Sequence, residues 1–520
     1  MFGSPRMRVA AVAGPLALLL AACGGTSGST GHASGPSGDP VSGGVLRAVL
    51  VSEPHNLDPA ILQNNNRGQA LLGNALYGTL LTNDPETGEV SGDMAEGFTT
   101  SDSGKTFVLT LRAGLKFSDG TPLDAAAVKY NWDRLKDPTL GSNSIQDASL
   151  IASTEVEDGT TLKVTLTRPT PRFGGNVILS SLDWIASPAV LKNGAQAFDA
   201  DPVGAGPFAL KDWTRGGALS LTRNPSYWNA PKPYLDGIDI TFSSKADQRF
   251  NSLQAGGADV SMIEDWGVVA KARTAGLQVD VEPVGGGQYI ALNQARAPFD
   301  DLAARQAVSA ALDLDALNLA INQGNGEVAD TFFPKSSPLY NDIKLHSYDK
   351  AKAQQMFDQL AAAGKPVSFT FTTFQGSEKI AEAVQAQLSR YKNVTVEVEV
   401  AEWADTGRIL GKHDFDATVA AVTFQDPDPA VARAFLSTSP RNSVGIDDGR
   451  LDDALKAGSS TAAGDARKDV YTTAVQRLVE LVPGIFYQRE PLVAVAGTKV
   501  GGLDLYGTGS LLADGLWLSK

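Results

Sequence analysis

The 520-residue chain has a single cysteine, Cys23, so no disulfide can form within it, and a zinc site built from several thiolates is excluded. Histidine is almost as scarce. The four present are His32, His55, His346 and His413, with no two inside one helical turn, which is poor material for a histidine-rich metal site. Basic clusters are missing as well. With 44 Lys and Arg against 58 Asp and Glu, the net charge is −14, and this argues against nucleic acid as a partner. No Walker loop, G-x-S-x-G elbow or G-x-G-x-x-G turn follows any strand-like run. No segment of the body approaches the run of about 18 apolar residues that a spanning helix needs.

What is present begins with the N-terminus. Arg6 and Arg8 precede an apolar run from Val9 to Ala22, too short and alanine-rich for a membrane span but suited to the middle of a signal peptide. The run ends in Leu20-Ala21-Ala22-Cys23, followed by Gly24 and Gly25. This resembles the bacterial lipobox, in which the cysteine becomes the first mature residue and carries the lipid. Residues 1–23 are therefore expected to be a lipoprotein signal peptide, with Cys23 as the lipid-attachment site. Several acyl chains, each worth ~0.8 kcal/mol per buried CH₂, give durable attachment. Residues 24–44 are almost all Gly, Ser, Thr and Pro and read as a flexible tether, so the globular part should start near Val45. The expected location is the extracytoplasmic face of a bacterial cell membrane.

The body is too long for one ordinary core, and two or three domains are expected. Strand and helix patterns alternate through most of it without a repeat, so the fold class is mixed α/β. "GGVLRAVLVSEP" reads as a strand, and Leu71, Leu72, Ala75, Leu76 and Leu80 fall near helical spacing. Asp124 should cap a helix over 125–135, and "DDLAARQAVSAALDLDALNLAI" reads as one long amphipathic helix opened by Asp300 and Asp301. In "TFQDPDPAVARAFL", Asp428 should be a helix N-cap with Pro429 in the first helical position, while Asp426 before Pro427 is held extended. Carboxylate pairs such as Asp300–Asp301 and Asp452–Asp453 read as helix starts rather than catalytic dyads.

Several segments, in this order, carry a resemblance: "SEPHNLDPA", "LYGTLLTNDPETGEV", "LRAGLKFSDGTPLDAAAV", "GAGPFALKDWTRGGALSLTRNPSYW", "FNSLQAGGADV" and "YIALNQARAPFDDLAARQAVSAALDLDAL". Together they resemble the family 5 extracellular solute-binding proteins, which include the oligopeptide- and dipeptide-binding components of ABC importers. The resemblance implies a periplasmic-binding-protein-like fold, with two lobes around a two-strand hinge and an extra domain in the first lobe. Carried onto this chain, lobe I comprises 45–72, 204–285 and 488–520, the extra domain II comprises 73–203, and lobe III comprises 286–487.

The same resemblance implies ligand contacts. Gln63, Asn64 and Asn65 fall where peptide-binding members pair with the ligand backbone. On the other lobe Trp403 is the expected aromatic wall, and nineteen residues on Val422, followed by Thr423, stands where the family has a tryptophan segment that clamps the ligand. Gln425 stands where peptide-binding members carry an aspartate for the ligand's α-ammonium; Asp426 is one residue along. Glutamine accepts a hydrogen bond but cannot neutralise a cation, so the sequence leaves open whether Asp426 substitutes. Tyr289, Asn293, Phe486 and Tyr487 fall near the hinge, where core packing is the simpler role.

The expected function is a non-catalytic, lipid-anchored receptor that captures a short peptide and presents it to ABC permease subunits. The runner-up ligand is an oligosaccharide or other polar organic solute, stacked on Trp403 and bonded by neutral amides. A metal chelate and an extracellular hydrolase are more remote alternatives. No cofactor, metal or nucleic acid is expected, and the protein is expected to act as a monomer.

Overall fold

The computed structural model describes Met1 and residues 35–520, apart from Gly376 and the side chain of Trp403. The signal-peptide reading of 1–23, Cys23 and the first part of the 24–44 tether lie outside the described residues.

Three sheets organise the body. The first has seven strands in the order Gln278–Val281, Val493–Ala496, Val260–Ile263, Val45–Leu50, Gly237–Phe242, Leu219–Arg223 and Phe208–Trp213. Val45–Leu50 pairs in parallel with both its neighbours, and the outer strands are antiparallel. Its inner strands Val493–Ala496 and Val260–Ile263 are buried on both faces, as expected where a sheet is covered on both sides. Leu46, Ala48 and Leu50 enter one core, while Val49, Val493 and Val495 enter another with Phe250 and Trp266.

The second sheet has four antiparallel strands, ordered Ala95–Thr100, Thr106–Leu111, Thr161–Leu166 and Ile151–Val156. Thr106–Leu111 and Thr161–Leu166 alternate buried and half-buried positions, the period-two signature of a sheet with one wet face. Asp124 caps the helix Ala125–Arg134 by accepting the Ala127 N–H, as its position before the alanine run implies.

The third sheet has five strands, ordered Val394–Ala401, Val367–Phe374, Ala417–Phe424, Gly285–Leu292 and Gly484–Gln488. Cores fill both its faces. The fold class is thus mixed α/β. The chain leaves the seven-stranded sheet after Val281, enters the five-stranded sheet at Gly285, and returns between Gln488 and Val493. The two crossings touch, since the Glu282 N–H donates to the Leu492 carbonyl at 2.9 Å.

Two expectations change. The single helix read over 300–321 is two, Leu302–Ala311 and Leu314–Asn322. Asp313 breaks it. Its backbone is extended, its side chain caps Ala316, and both its N–H and its carbonyl bond to the Gln387 amide. The apolar spacing persists across the break, which is why the pattern alone reads as continuous. The other change is Asp428, which does not cap the helix Ala430–Phe435. Pro429 occupies the N-cap, and the Val431 N–H is already taken by the Pro427 carbonyl at 2.8 Å. One boundary also meets an element: the helix Ala70–Tyr77 runs across position 72 and buries Leu71, Leu72, Ala75, Leu76 and Tyr77 in the core of the seven-stranded sheet.

Candidate functional site

The segment Val422–Asp428 leaves the end of the strand Ala417–Phe424, which pairs with the glycine run at the first crossing. Gly286 lies opposite Thr423, and Gly287 opposite Val422. Gly286 has φ of 68°, and a Cβ there would stand 2.0 Å from the Val422 carbonyl oxygen, so only glycine permits this approach. The close pairing fixes where the residues after Val422 emerge.

Those residues fasten to groups from elsewhere in the chain. The Thr423 hydroxyl donates to Glu490 at 3.1 Å, and the other oxygen of Glu490 accepts from Arg67 at 2.5 Å. Glu490 thereby ties the strand end to the turn holding Gln63, Asn64 and Asn65. Gln425 donates from its amide to Glu282 and accepts from the Asn83 amide. Asp426 receives two bonds from Arg467, at 2.8 and 2.6 Å, and a third contact from Arg172 at 3.0 Å. Two guanidinium groups therefore neutralise Asp426, and it has no charge to spare for a ligand ammonium. Asp428 is buried, and among the described residues its Oδ2 has no partner. Burial, and then the nearby Asp426, push its carboxyl up to about 6.

The other expected residues are placed as follows. Gln63 is exposed, and its carbonyl accepts the Gln69 N–H at 3.0 Å. Asn64 is buried, donating to the Ile178 carbonyl and the Tyr506 hydroxyl and accepting from Ser510 at 2.7 Å. The Asn65 side-chain oxygen accepts the N–H groups of Arg67 and Gly68, closing the turn. The Val422 side chain packs in the core. Asn64 and Val422 thus have only backbone to offer a ligand. Trp403 opens a short turn, Trp403–Asp405, after the strand Val394–Ala401, and its side chain lies outside the described residues. Tyr289 and Phe486 are buried with ring centroids 4.9 Å apart, the Tyr487 hydroxyl donates to Gln288 at 2.6 Å, and Asn293 donates to the His413 and Phe415 carbonyls. These four are packing and hydrogen-bonding residues of the hinge region.

Two cavities meet the segment or its partners. One, of about 1030 Å³, lies between the edge strand Ala95–Thr100 and residues 460–467, and Gln425, Asp426, Arg172 and Arg467 line it; Gln63, Asn64 and Asn65 do not. The other, of about 420 Å³, is lined by Glu86, Asp280, Glu282, Ser336 and Asp504 among others. Burial, then Asp280 and Asp504, push the Glu282 carboxyl up to about 8. Among the described residues no group of three or more potential metal ligands occurs. His346 is held by the Ser309 carbonyl at 2.8 Å, and burial lowers its pKa.

Sequence reasoning missed Glu282, Glu490, Arg67, Arg172 and Arg467, since each reaches the segment from far away in the chain. A signal for two of them exists. Both crossings carry Glu-Pro, as Glu282-Pro283 and Glu490-Pro491, and a residue before proline is held extended.

Residues 89–443 match the bacterial extracellular solute-binding proteins, family 5. The chain belongs to this family. The glutathione-binding protein GsiB of Salmonella paratyphi A is 31% identical over 310 residues, 58% of this chain and 59% of that protein, so the match spans less than two thirds of the relative. The solved structure of AgaA from A. tumefaciens R10, in complex with agropinic acid, superposes with a TM-score of 0.75 at 25% identity, covering 92% of this chain and 99% of that one. The oligopeptide-binding protein AppA from Bacillus subtilis, in complex with a nonapeptide, gives 0.73 at 24% identity over 93% of this chain and all of that one, which shows the shared fold. The two-lobed architecture of periplasmic binding proteins is therefore that of this family 5 protein. Among the described residues no helix is long and apolar enough to cross a membrane.

Proposed function

We propose that the protein is the substrate-binding component of an ABC importer, capturing a short peptide between its lobes and delivering it to the permease. The observation that carries this reading is the position of Thr423–Asp426. The segment hangs from the five-stranded sheet, yet Gln425 reaches Glu282 and Asn83, Asp426 reaches Arg172, and Thr423 reaches Arg67 through Glu490. A solute lying along it touches both lobes, so binding and closure are coupled. The similarity to a glutathione-binding protein supports a peptide, because glutathione is a tripeptide.

In this reading lobe I is 45–72, 204–285 and 488–520, the extra domain is 73–203, and lobe III is 286–487. The distribution of the three sheets supports that division. Gln63–Asn65 and Val422 contribute backbone, Thr423 and Gln425 contribute side chains, and Trp403 is the aromatic wall. Lipid on Cys23 holds the protein outside the membrane; the mass of its N-terminal peptide, with or without acyl chains, checks this. The protein has no catalytic role and works as a monomer.

The neutral Gln425 and the likeness to a structure holding agropinic acid favour one second reading, a polar organic solute. Calorimetry against tripeptide and oligosaccharide panels separates the two. Heat with peptides alone supports the first reading, heat with sugars alone replaces it, and turnover of any bound solute removes the receptor role.

A further inference from the structure

Two carboxylates at the contacts around Thr423–Asp426 have a cation of their own. Asp426 has Arg172 and Arg467, and Glu490 has Arg67. Glu282 differs. Its carboxylate accepts the neutral amide of Gln425, and among the described residues it forms no ion pair. The charged groups that bear on it are all acids: Asp280 from the strand it follows, Asp504 from the C-terminal segment, and Asp84 from the turn after the strand Leu81–Asn83. Glu86 faces the same cavity. Glu282 is only 5% exposed, yet it lines that 420 Å³ space. Burying a carboxylate without a cation is costly, and carbon-lined packing would be the cheaper filling if nothing entered.

We propose that Glu282 receives the cationic group of the captured solute, the ammonium of a peptide, in the cavity it shares with Asp280 and Asp504, while Gln425 holds its carboxylate in place. This rests on the peptide reading above. The acid is supplied by the first crossing of lobe I, and closure brings the Gln425 strand end against it. Without solute the Glu282 carboxyl is protonated at neutral pH, since burial and then Asp280 and Asp504 push it up to about 8. When the ammonium arrives, the carboxyl releases that proton to solvent and an ion pair forms. No covalent bond to the solute is made.

The test is an equimolar tripeptide library, half of it N-acetylated, offered to the full chain in detergent and read by native mass spectrometry. Calorimetry in two buffers of different ionisation heat then counts the protons released. The wild type should capture free-amine members at least tenfold over acetylated ones and release close to one proton per peptide at pH 7. Glu282→Gln should erase the preference and the proton release without lowering the melting temperature, and Glu282→Asp should keep both. Equal capture of the two halves by the wild type, or an unchanged preference in Glu282→Gln, overturns the assignment while peptide capture stands. The wild-type preference and proton count need no variant to fold. Capture of neither half removes the peptide reading itself, and this assignment with it.

Discussion

Replacing Asp426 by asparagine should separate what holds the body of the five-stranded sheet together from what ties it to the residues beside the four-stranded sheet. The Asp426 carboxylate accepts two bonds from Arg467, whose side chain is 2% exposed, and one contact from Arg172, which is 25% exposed. Asparagine keeps the shape and removes the charge. Arg467 then stays buried with one neutral amide oxygen in place of the carboxylate, the Gly458 carbonyl at 3.1 Å, the Tyr471 ring at 5.0 Å, and Asp428 as the remaining acid that bears on it. Removing one member of a buried pair costs about 3–5 kcal/mol. For a cooperative unit of about 150–250 residues this is a fall of roughly 6–20 °C in melting temperature. Arg172→Met instead removes only the half-buried contact, worth about 1 kcal/mol after allowance for solvent screening. Scanning calorimetry reads the first effect, and small-angle scattering of the closed fraction reads the second. The expected pattern is a large melting shift with Asp426→Asn, and a small one with more open molecules in Arg172→Met. A shift smaller than about 2 °C in Asp426→Asn would refute the claim that Asp426 is the charge partner of a buried Arg467.

Other outcomes follow from the same contacts. Asn64→Ala should cost about 2–3 kcal/mol of stability, since it strands buried groups at Ile178, Tyr506 and Ser510, and denaturant melts check this. Asp313→Ala should cost about 0.5–2 kcal/mol by uncapping the helix Leu314–Asn322, read in the same way. Without solute, stability should fall as pH rises from about 4.5 to about 8, because folded protein keeps a proton on Glu282 that unfolded protein has lost. Asp93 and Asp428, each near 6, and His346, lowered from 6.5, titrate below the upper part of that window. Burial also raises Asp183, Asp280 and Asp504, but these are common to both proteins, so the difference between wild type and Glu282→Gln reads Glu282: the variant should flatten the slope between pH 6.5 and 8 by up to about 1.4 kcal/mol per pH unit. Trp403→Ala should weaken solute binding at least tenfold by calorimetry and leave the melting temperature in place; a large loss of stability with intact affinity assigns Trp403 to the core.

Local rules carried far in this chain. Asp124 before an alanine run and Asp301 before "LAARQAV" cap their helices because an acid at a helix start meets free N–H groups. Lys350–Ala362 stops just before Gly364, which has a φ of 76°. The same rules failed at Leu312–Asp313 and at Asp428, where a partner distant in sequence or one backbone bond decided the outcome. Leu312–Asp313 turns because Gln387, 74 residues away, holds Asp313 by both backbone groups. Within the candidate site, the sequence pointed to Thr423–Asp426 but not to what surrounds it. Arg467 lies 41 residues from Asp426, and Glu282 lies 143 from Gln425, distances that no local pattern spans. Asn64 read as part of a polar loop and Val422 as a position along the ligand, and tertiary packing buries both side chains.

The most direct test of the central claim is to purify the full chain from the cells that make it and weigh what leaves it on denaturation. Native mass spectrometry should show one solute per chain, released intact, with the mass and fragmentation of a short peptide bearing a free amine. A sugar, a metal chelate, or a solute chemically altered by the protein would contradict the account.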